Sequence, residues 1–162
     1  MTSPDTQTIY LANYQPPAFL VEHVALEFTL HPTATRVRST IKFHKNPDSL
    51  VTNFFLHGEG LTLLSSYING VAISPEILDT GLTCDVPDMP FIWQSEVEID
   101  PSANTSLSGL YMSNGMFCTQ CEAEGFRRIT YYPDRPDVMA PFDVTIHSDL
   151  PYALSNGEFL GR

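Results

Sequence analysis

From Val24 to Phe43 the chain alternates with a period of two, and this pattern constrains the fold more than any other feature. Val24, Leu26, Phe28 and Leu30 fall on one face of an extended segment, with His23, Ala25, Glu27 and Thr29 on the other. His31-Pro32 ends it. After a turn, Val37, Ser39, Ile41 and Phe43 alternate with Arg36, Arg38, Thr40 and Lys42. The two segments read as half-buried strands paired antiparallel, because a strand sends successive side chains to opposite faces and only one face here is suited to leave water. The cations of the second strand read as a solvated outer face.

Segments 53–57, 61–68, 91–99, 142–146 and 152–154 read as further strands. Asn69-Gly70 and Asn114-Gly115, each flanked by apolar residues, are hairpin signals, since a two-residue loop of this type needs positive φ at both positions. The only helical candidate runs from Ala123 to about Ile129, with Phe126 and Ile129 on one face, and Pro133 and Pro136 stop it. The expected class is all-β: an antiparallel β-sandwich or saddle-shaped sheet with one short helix. Residues 1–20, with Pro4, Pro16 and Pro17, are expected to form an extended arm packed on a single domain of residues 21–162.

A chain of 162 residues is long enough for one buried core, and 43% hydrophobic residues agree with a globular domain. Eight Lys and Arg against nineteen Asp and Glu leave a net charge of −11, a field that repels phosphate backbones and anionic lipid heads. Neither nucleic acid nor a membrane surface is therefore expected as a partner. The same field raises the local concentration of cationic ligands, such as peptides with free amino termini, although most acidic surfaces serve only solubility. The amino-terminal residues carry no basic and apolar leader pattern, and no stretch is long enough to span a bilayer. The three cysteines are an odd number and too few for a disulfide framework. A cytoplasmic location is expected.

Scanning for chemistry finds fragments but no complete catalytic constellation. Cys118-Thr119-Gln120-Cys121 is a CxxC, yet no second CxxC or HxxxH supplies the further ligands that zinc needs, and the βαβ setting of a redox pair is missing. His57-Gly58-Glu59 with that CxxC imitates a zinc-deaminase signature, but Phe117 occupies its proline position and strands fill the interval. The five histidines are scattered and form no H-E-x-x-H.

Gly109-Leu110-Tyr111-Met112-Ser113, then Thr119-Gln120-Cys121-Glu122, Arg127-Arg128 and Asp134-Arg135-Pro136 form linked blocks. Their order and spacing resemble G-[FL]-Y-x-S…T-Q-x-E…A-R-R…D-E-P of the alanyl aminopeptidase (aminopeptidase N) family. Tyr14-Gln15-Pro16-Pro17-Ala18-Phe19-Leu20 and Leu154-Ser155-Asn156-Gly157 resemble the edges of the amino-terminal domain in its bacterial branch. Met112 stands for a basic residue, Ala123 for a proline, Phe126 for a small residue and Arg135 for an acidic one, while the glutamine and glutamate are kept. The family's G-A-M-E-N and H-E-x-x-H motifs are expected beyond Arg162.

The resemblance implies the amino-terminal domain of a zinc aminopeptidase that releases amino-terminal residues from peptides, with zinc held by a catalytic domain and none by this chain. Glu122 would pair with the substrate's free α-ammonium, and Gln120 would line the pocket for its first side chain. An acceptor-only carboxylate suits an ammonium with three donors. The competing role for Glu122 is a helix cap, worth about 0.5–2 kcal/mol. Arg127, Arg128 and Asp134 are expected to form an ion-pair network bracing the Glu122 loop rather than to touch substrate. The alternative from another class is a free-standing β-sandwich interaction module without catalytic activity.

Overall fold

The computed structural model describes residues 10–161, so the first nine residues of the expected arm lie outside the described residues. The strands are β1 (Phe19–Thr29), β2 (Thr35–Lys45), β3 (Phe55–His57), β4 (Thr62–Ile68), β5 (Val71–Ala72), β6 (Glu76–Leu78), β7 (Gly81–Thr83), β8 (Phe91–Ile99), β9 (Gly109–Ser113), β10 (Met116–Gln120) and β11 (Phe142–His147). A six-stranded sheet has the order β11-β1-β2-β8-β4-β5, a three-stranded sheet the order β3-β7-β6, and β9 pairs with β10.

The alternation of the sequence becomes the inner face of the large sheet. Val24, Leu26 and Phe28 of β1, Val37, Ile41 and Phe43 of β2, and Phe91, Trp93 and Val97 of β8 are all buried. β1 starts earlier than its pattern indicates. A bulge between Val21 and His23 inserts Glu22, so that Val21 and Val24 both face inward although three positions apart.

The core lies between this face and a second layer made of β3, β7 and the segment around Ile129–Tyr132. Phe54 stands edge-on to Phe19 at 5.3 Å, to Phe43 at 5.2 Å and to Phe91 at 5.4 Å. Such edge-to-face contacts hold aromatic rings at fixed angles beyond what area burial requires. Leu56 and Leu82, a register pair of β3 and β7, are fully buried in the same cluster. Two Asn-Gly turns close hairpins as expected, with φ of 51° and 79° at Asn69 and Gly70 and of 49° and 79° at Asn114 and Gly115.

The sheet departs from the expectation in four places. β11 runs parallel to β1, Val24 opposite Phe142 through Thr29 opposite His147, at an otherwise antiparallel sheet's edge. Segment 152–154 is not a strand: it has no ladder partner, and Tyr152 and Leu154 are exposed. β6 and β7 were not legible, being three residues each. The short helix of 123–129 is a single 3-10 turn at Phe126–Arg128, and no α-helix occurs among the described residues.

On the outer face the cations of β2 are paired as well as exposed. Arg38 reaches Glu96 at 3.1 Å and Arg36 reaches Glu98 at 3.5 Å, both on β8, and Lys42 reaches Glu22 of β1 at 2.6 Å. Solvent screens such exposed pairs, so together they favour the register more than they add stability. Before β1, the Tyr14 hydroxyl donates to Asp137 at 2.9 Å and Arg135 donates to the Gln15 carbonyl at 2.7 Å.

Three buried hydroxyls join the layers. Ser39 and Ser95 share a hydrogen bond of 2.8 Å across β2 and β8, and Thr130 donates to Ser39 at 3.3 Å from the second layer. Ser39→Ala leaves the other two without this partner and is expected to cost about 1–3 kcal/mol. Replacing all three (Ser39→Ala, Ser95→Ala, Thr130→Val) is expected to cost less than the sum of the single changes, measured as urea midpoints.

His57, at the end of β3, makes an antiparallel bridge with Tyr132, and its Nδ1 accepts the Asp134 backbone N–H at 3.1 Å. That bond requires an unprotonated Nδ1. Burial first, and the Arg127 charge second, hold the ring's pKa below its ordinary value. As pH falls, the unfolded chain takes the proton before the folded one does. This contribution is therefore complete above about pH 6.5 and is lost as pH drops from there through the lowered folded value. Denaturation midpoints are expected to fall between about pH 7 and about pH 5 and to fall less in His57→Asn. Parallel slopes would remove His57 as the cause.

Candidate functional site

The blocks that carried the resemblance converge on the β9–β10 hairpin and the turn that follows it. β10 ends at Gln120, the chain doubles back through residues 121–125, and the 3-10 turn Phe126–Arg128 returns it to the core. Gly125 donates to the Cys121 carbonyl at 2.9 Å. The turn is closed tightly enough that a Cβ at Gly125 would stand 2.6 Å from the Gln120 carbonyl oxygen, and one at Gly109 would stand 2.6 Å from Cβ of Arg128. Glycine is required at both points by close approach. Phe126 seats the far side of the turn, its ring edge-on to Tyr132 at 4.9 Å and to Phe142 at 5.8 Å.

Gln120 and Glu122 are brought together on the exposed side of this turn. Nε2 of Gln120 donates to the Glu122 carbonyl at 3.1 Å. The Glu122–Ala123 peptide is cis. The helix-cap role weighed for Glu122 does not hold: Gly125 occupies the cap position of the 3-10 turn, which has no side-chain cap bond.

The expected brace is present and reaches further than the sequence indicated. Arg127 Nε and Asp134 Oδ2 lie 3.0 Å apart, the Arg127 backbone N–H reaches the same oxygen at 3.1 Å, and Nη2 donates to the Asp134 carbonyl at 3.0 Å. Nη2 also lies 3.4 Å from Glu124 Oε1. Arg128 pairs with Glu59 and donates to Ser106 Oγ at 3.3 Å. The Glu59 N–H donates to the Arg127 carbonyl at 2.9 Å.

Glu59 and His57 as supports of the turn were not found by sequence reasoning. They lie 69 residues before Arg128 and 77 before Asp134, and no local pattern signals such a contact. The H-x-E of residues 57–59 is accordingly spent on structure, His57 on Asp134 and Glu59 on Arg128. Cys118 lies opposite Tyr111 in the hairpin, and Cys121 opens the turn half-buried, where burial pushes its thiol pKa up. Among the described residues, no three His, Cys, Asp or Glu side chains come together as a metal-holding group.

The site therefore presents an amide and a carboxylate on a braced turn. Beside it lies the exposed Phe142 of β11, in ring contact with Phe126, with the exposed Val144 two residues further along the same strand. The carboxylate offers only acceptors, which suits a cationic donor such as an ammonium group.

Aminopeptidase N of Caulobacter vibrioides is 46% identical over 97% of this chain and 19% of its own length. Aminopeptidase N of Escherichia coli is 38% identical over 93% of this chain and 18% of its own length. Among solved structures, Legionella pneumophila aminopeptidase A in complex with aspartic acid superposes with a TM-score of 0.76 at 30% identity, over 84% of this chain and 17% of that one. The chain thus spans about a fifth of the length of the curated relatives it matches. A family model described as the Peptidase M1 N-terminal domain matches residues 20–160, from the second residue of β1 to beyond β11. The strand framework, the hairpin and the braced turn all fall within that match, and the chain belongs to the Peptidase M1 N-terminal domain family.

Proposed function

We propose that this chain is the substrate-anchoring N-terminal domain of a zinc metallo-aminopeptidase that releases amino-terminal residues from peptides. The observation that carries the reading is the family match over residues 20–160, with the blocks around Gln120 and Glu122 inside it. In this reading Glu122 pairs with the substrate's α-ammonium and Gln120 lines the pocket for the first side chain. The oxygen of the Gln120 amide stays available, because its nitrogen holds the Glu122 carbonyl.

The zinc is assigned to a catalytic domain in the longer protein, and no step is routed through a metal held by this domain. When bound there, zinc supplies Lewis-acid polarisation of the scissile carbonyl and an activated water. The catalytic domain is the proposed partner for the exposed apolar side chains beside the turn. The domain itself is read as residues 21–162 with the preceding residues as an arm.

Nucleic acid is not proposed as a partner. Each Lys and Arg among the described residues already has a carboxylate within ion-pair distance, which leaves the acidic groups to set the outer field. No helix among the described residues is long and apolar enough to cross a membrane. A cytoplasmic location is proposed on the three free cysteines.

In the longer enzyme, Glu122→Gln is expected to lower kcat/KM for substrates with a free amino terminus by on the order of 30- to several-thousand-fold, the usual range for removing one partner of a desolvated charge pair. Zinc content and melting temperature are expected to stay near wild type. Wild-type kinetics in this variant would refute the anchor role. The 162-residue chain alone is expected to retain no stoichiometric zinc and to hydrolyse no aminoacyl anilide, checked by elemental analysis and a chromogenic assay.

A further inference from the structure

Glu122 has no partner for its carboxylate among the described residues, so the turn backbone fixes where that side chain is rooted and which volume its carboxylate can reach. Besides the Gly125 N–H on the Cys121 carbonyl, two side-chain contacts hold the turn. One is the Gln120 amide on the Glu122 carbonyl at 3.1 Å. The other lies two residues later, where Glu124, at a left-handed φ of 63°, comes within 3.4 Å of Arg127. A residue without glycine's freedom keeps such a φ only where its surroundings over-determine it.

Arg127 is built as the fixed point of this arrangement. Its side chain is 17% exposed and that of Asp134 is 14% exposed. Its backbone N–H and Nε converge on one Asp134 oxygen, while Nη2 takes the Asp134 carbonyl. The pair is tied outward twice, by the Asp134 N–H on His57 at the end of β3 and by the Glu59 N–H, two residues further on, on the Arg127 carbonyl. The guanidinium is thus committed to Asp134 and Glu124, with one end of the clamp tied to the β3 segment and the other on the Glu122 turn.

We propose that Arg127 is a positioning residue for Glu122: clamped between Asp134 and Glu124, it sets the place of the Glu122 carboxylate and acts on the substrate's ammonium only through it. The proposal rests on the anchor reading of Glu122. Lysine, a single point donor, can keep only part of the fork of contacts that arginine makes.

The test is a double-mutant cycle in the longer enzyme with a free-amino-terminus substrate, rates being normalised to zinc-loaded, folded protein. Arg127→Met is expected to lower kcat/KM by on the order of 10- to 100-fold, the scale of a misplacement of about 1 Å, and Arg127→Lys to recover part of it. In a Glu122→Gln background, Arg127→Met is expected to lower kcat/KM by less than about threefold further, because the group it positions is gone. Losses that multiply in the double variant would overturn the proposal, as would an Arg127→Met enzyme with wild-type kcat/KM. If Glu122→Gln is itself silent, the anchor reading fails first and the cycle says so separately. Should Arg127→Met not fold, Asp134→Asn, which keeps the shape and removes the charge, is run through the same cycle with the same expected non-additivity.

Discussion

The register of β2 between β1 and β8 decides which side chains leave water, and the rest of the molecule is arranged around that choice. Val37, Ser39, Ile41 and Phe43 point inward opposite Val97, Ser95, Trp93 and Phe91. A slip by one residue would turn Arg36, Arg38 and Lys42 into the core and expose the apolar set, so every alternative register carries a penalty of many kcal/mol. The charged outer face repeats the instruction, since Arg36 and Arg38 meet Glu98 and Glu96 only in the observed pairing. The buried hydroxyl of Ser39 adds a directional contact to Thr130, which aligns the second layer on the first.

From that frame the structure becomes less regular toward one edge. β11 docks parallel to β1, and its inward-facing Phe142 and Val144 remain 42% and 41% exposed, Phe142 being covered only in part by the Phe126 and Tyr132 rings. The candidate turn sits at this end, seated by Phe126 against Phe142 and Tyr132. Tyr132 is buried deeply enough that its hydroxyl pKa is pushed up to about 12, and its ring serves packing. The exposed carboxylate of Glu122 thus stands on the rim between a well-packed core and an open apolar edge.

Electrostatics follow the same division. The described Lys and Arg residues are each engaged by a carboxylate: Arg36, Arg38 and Lys42 across the strands of the large sheet, Lys45 by Asp88 in the loop before β8, and Arg127, Arg128 and Arg135 in their braces. The net charge of −11 is therefore carried by acids without such partners, and it sets an acidic field over the domain as a whole.

The long strands and both hairpins were legible in the sequence because their causes are local: a period of two over many residues, and an Asn-Gly pair that accepts positive φ. Strands of three residues, such as β6 and β7, carry no period, and a period cannot say whether β11 runs parallel or antiparallel. Segment 123–129 satisfied a helical pattern, yet Gly125 packs against Gln120 and Cys121 and leaves room for one 3-10 turn. The sequence by itself determined which residues form the frame and which short blocks, Gln120 and Glu122 among them, belong to a known family. Only the tertiary structure decided what holds that turn, because His57 and Glu59 meet Asp134, Arg127 and Arg128 across some seventy residues, and contacts between distant segments leave no local trace.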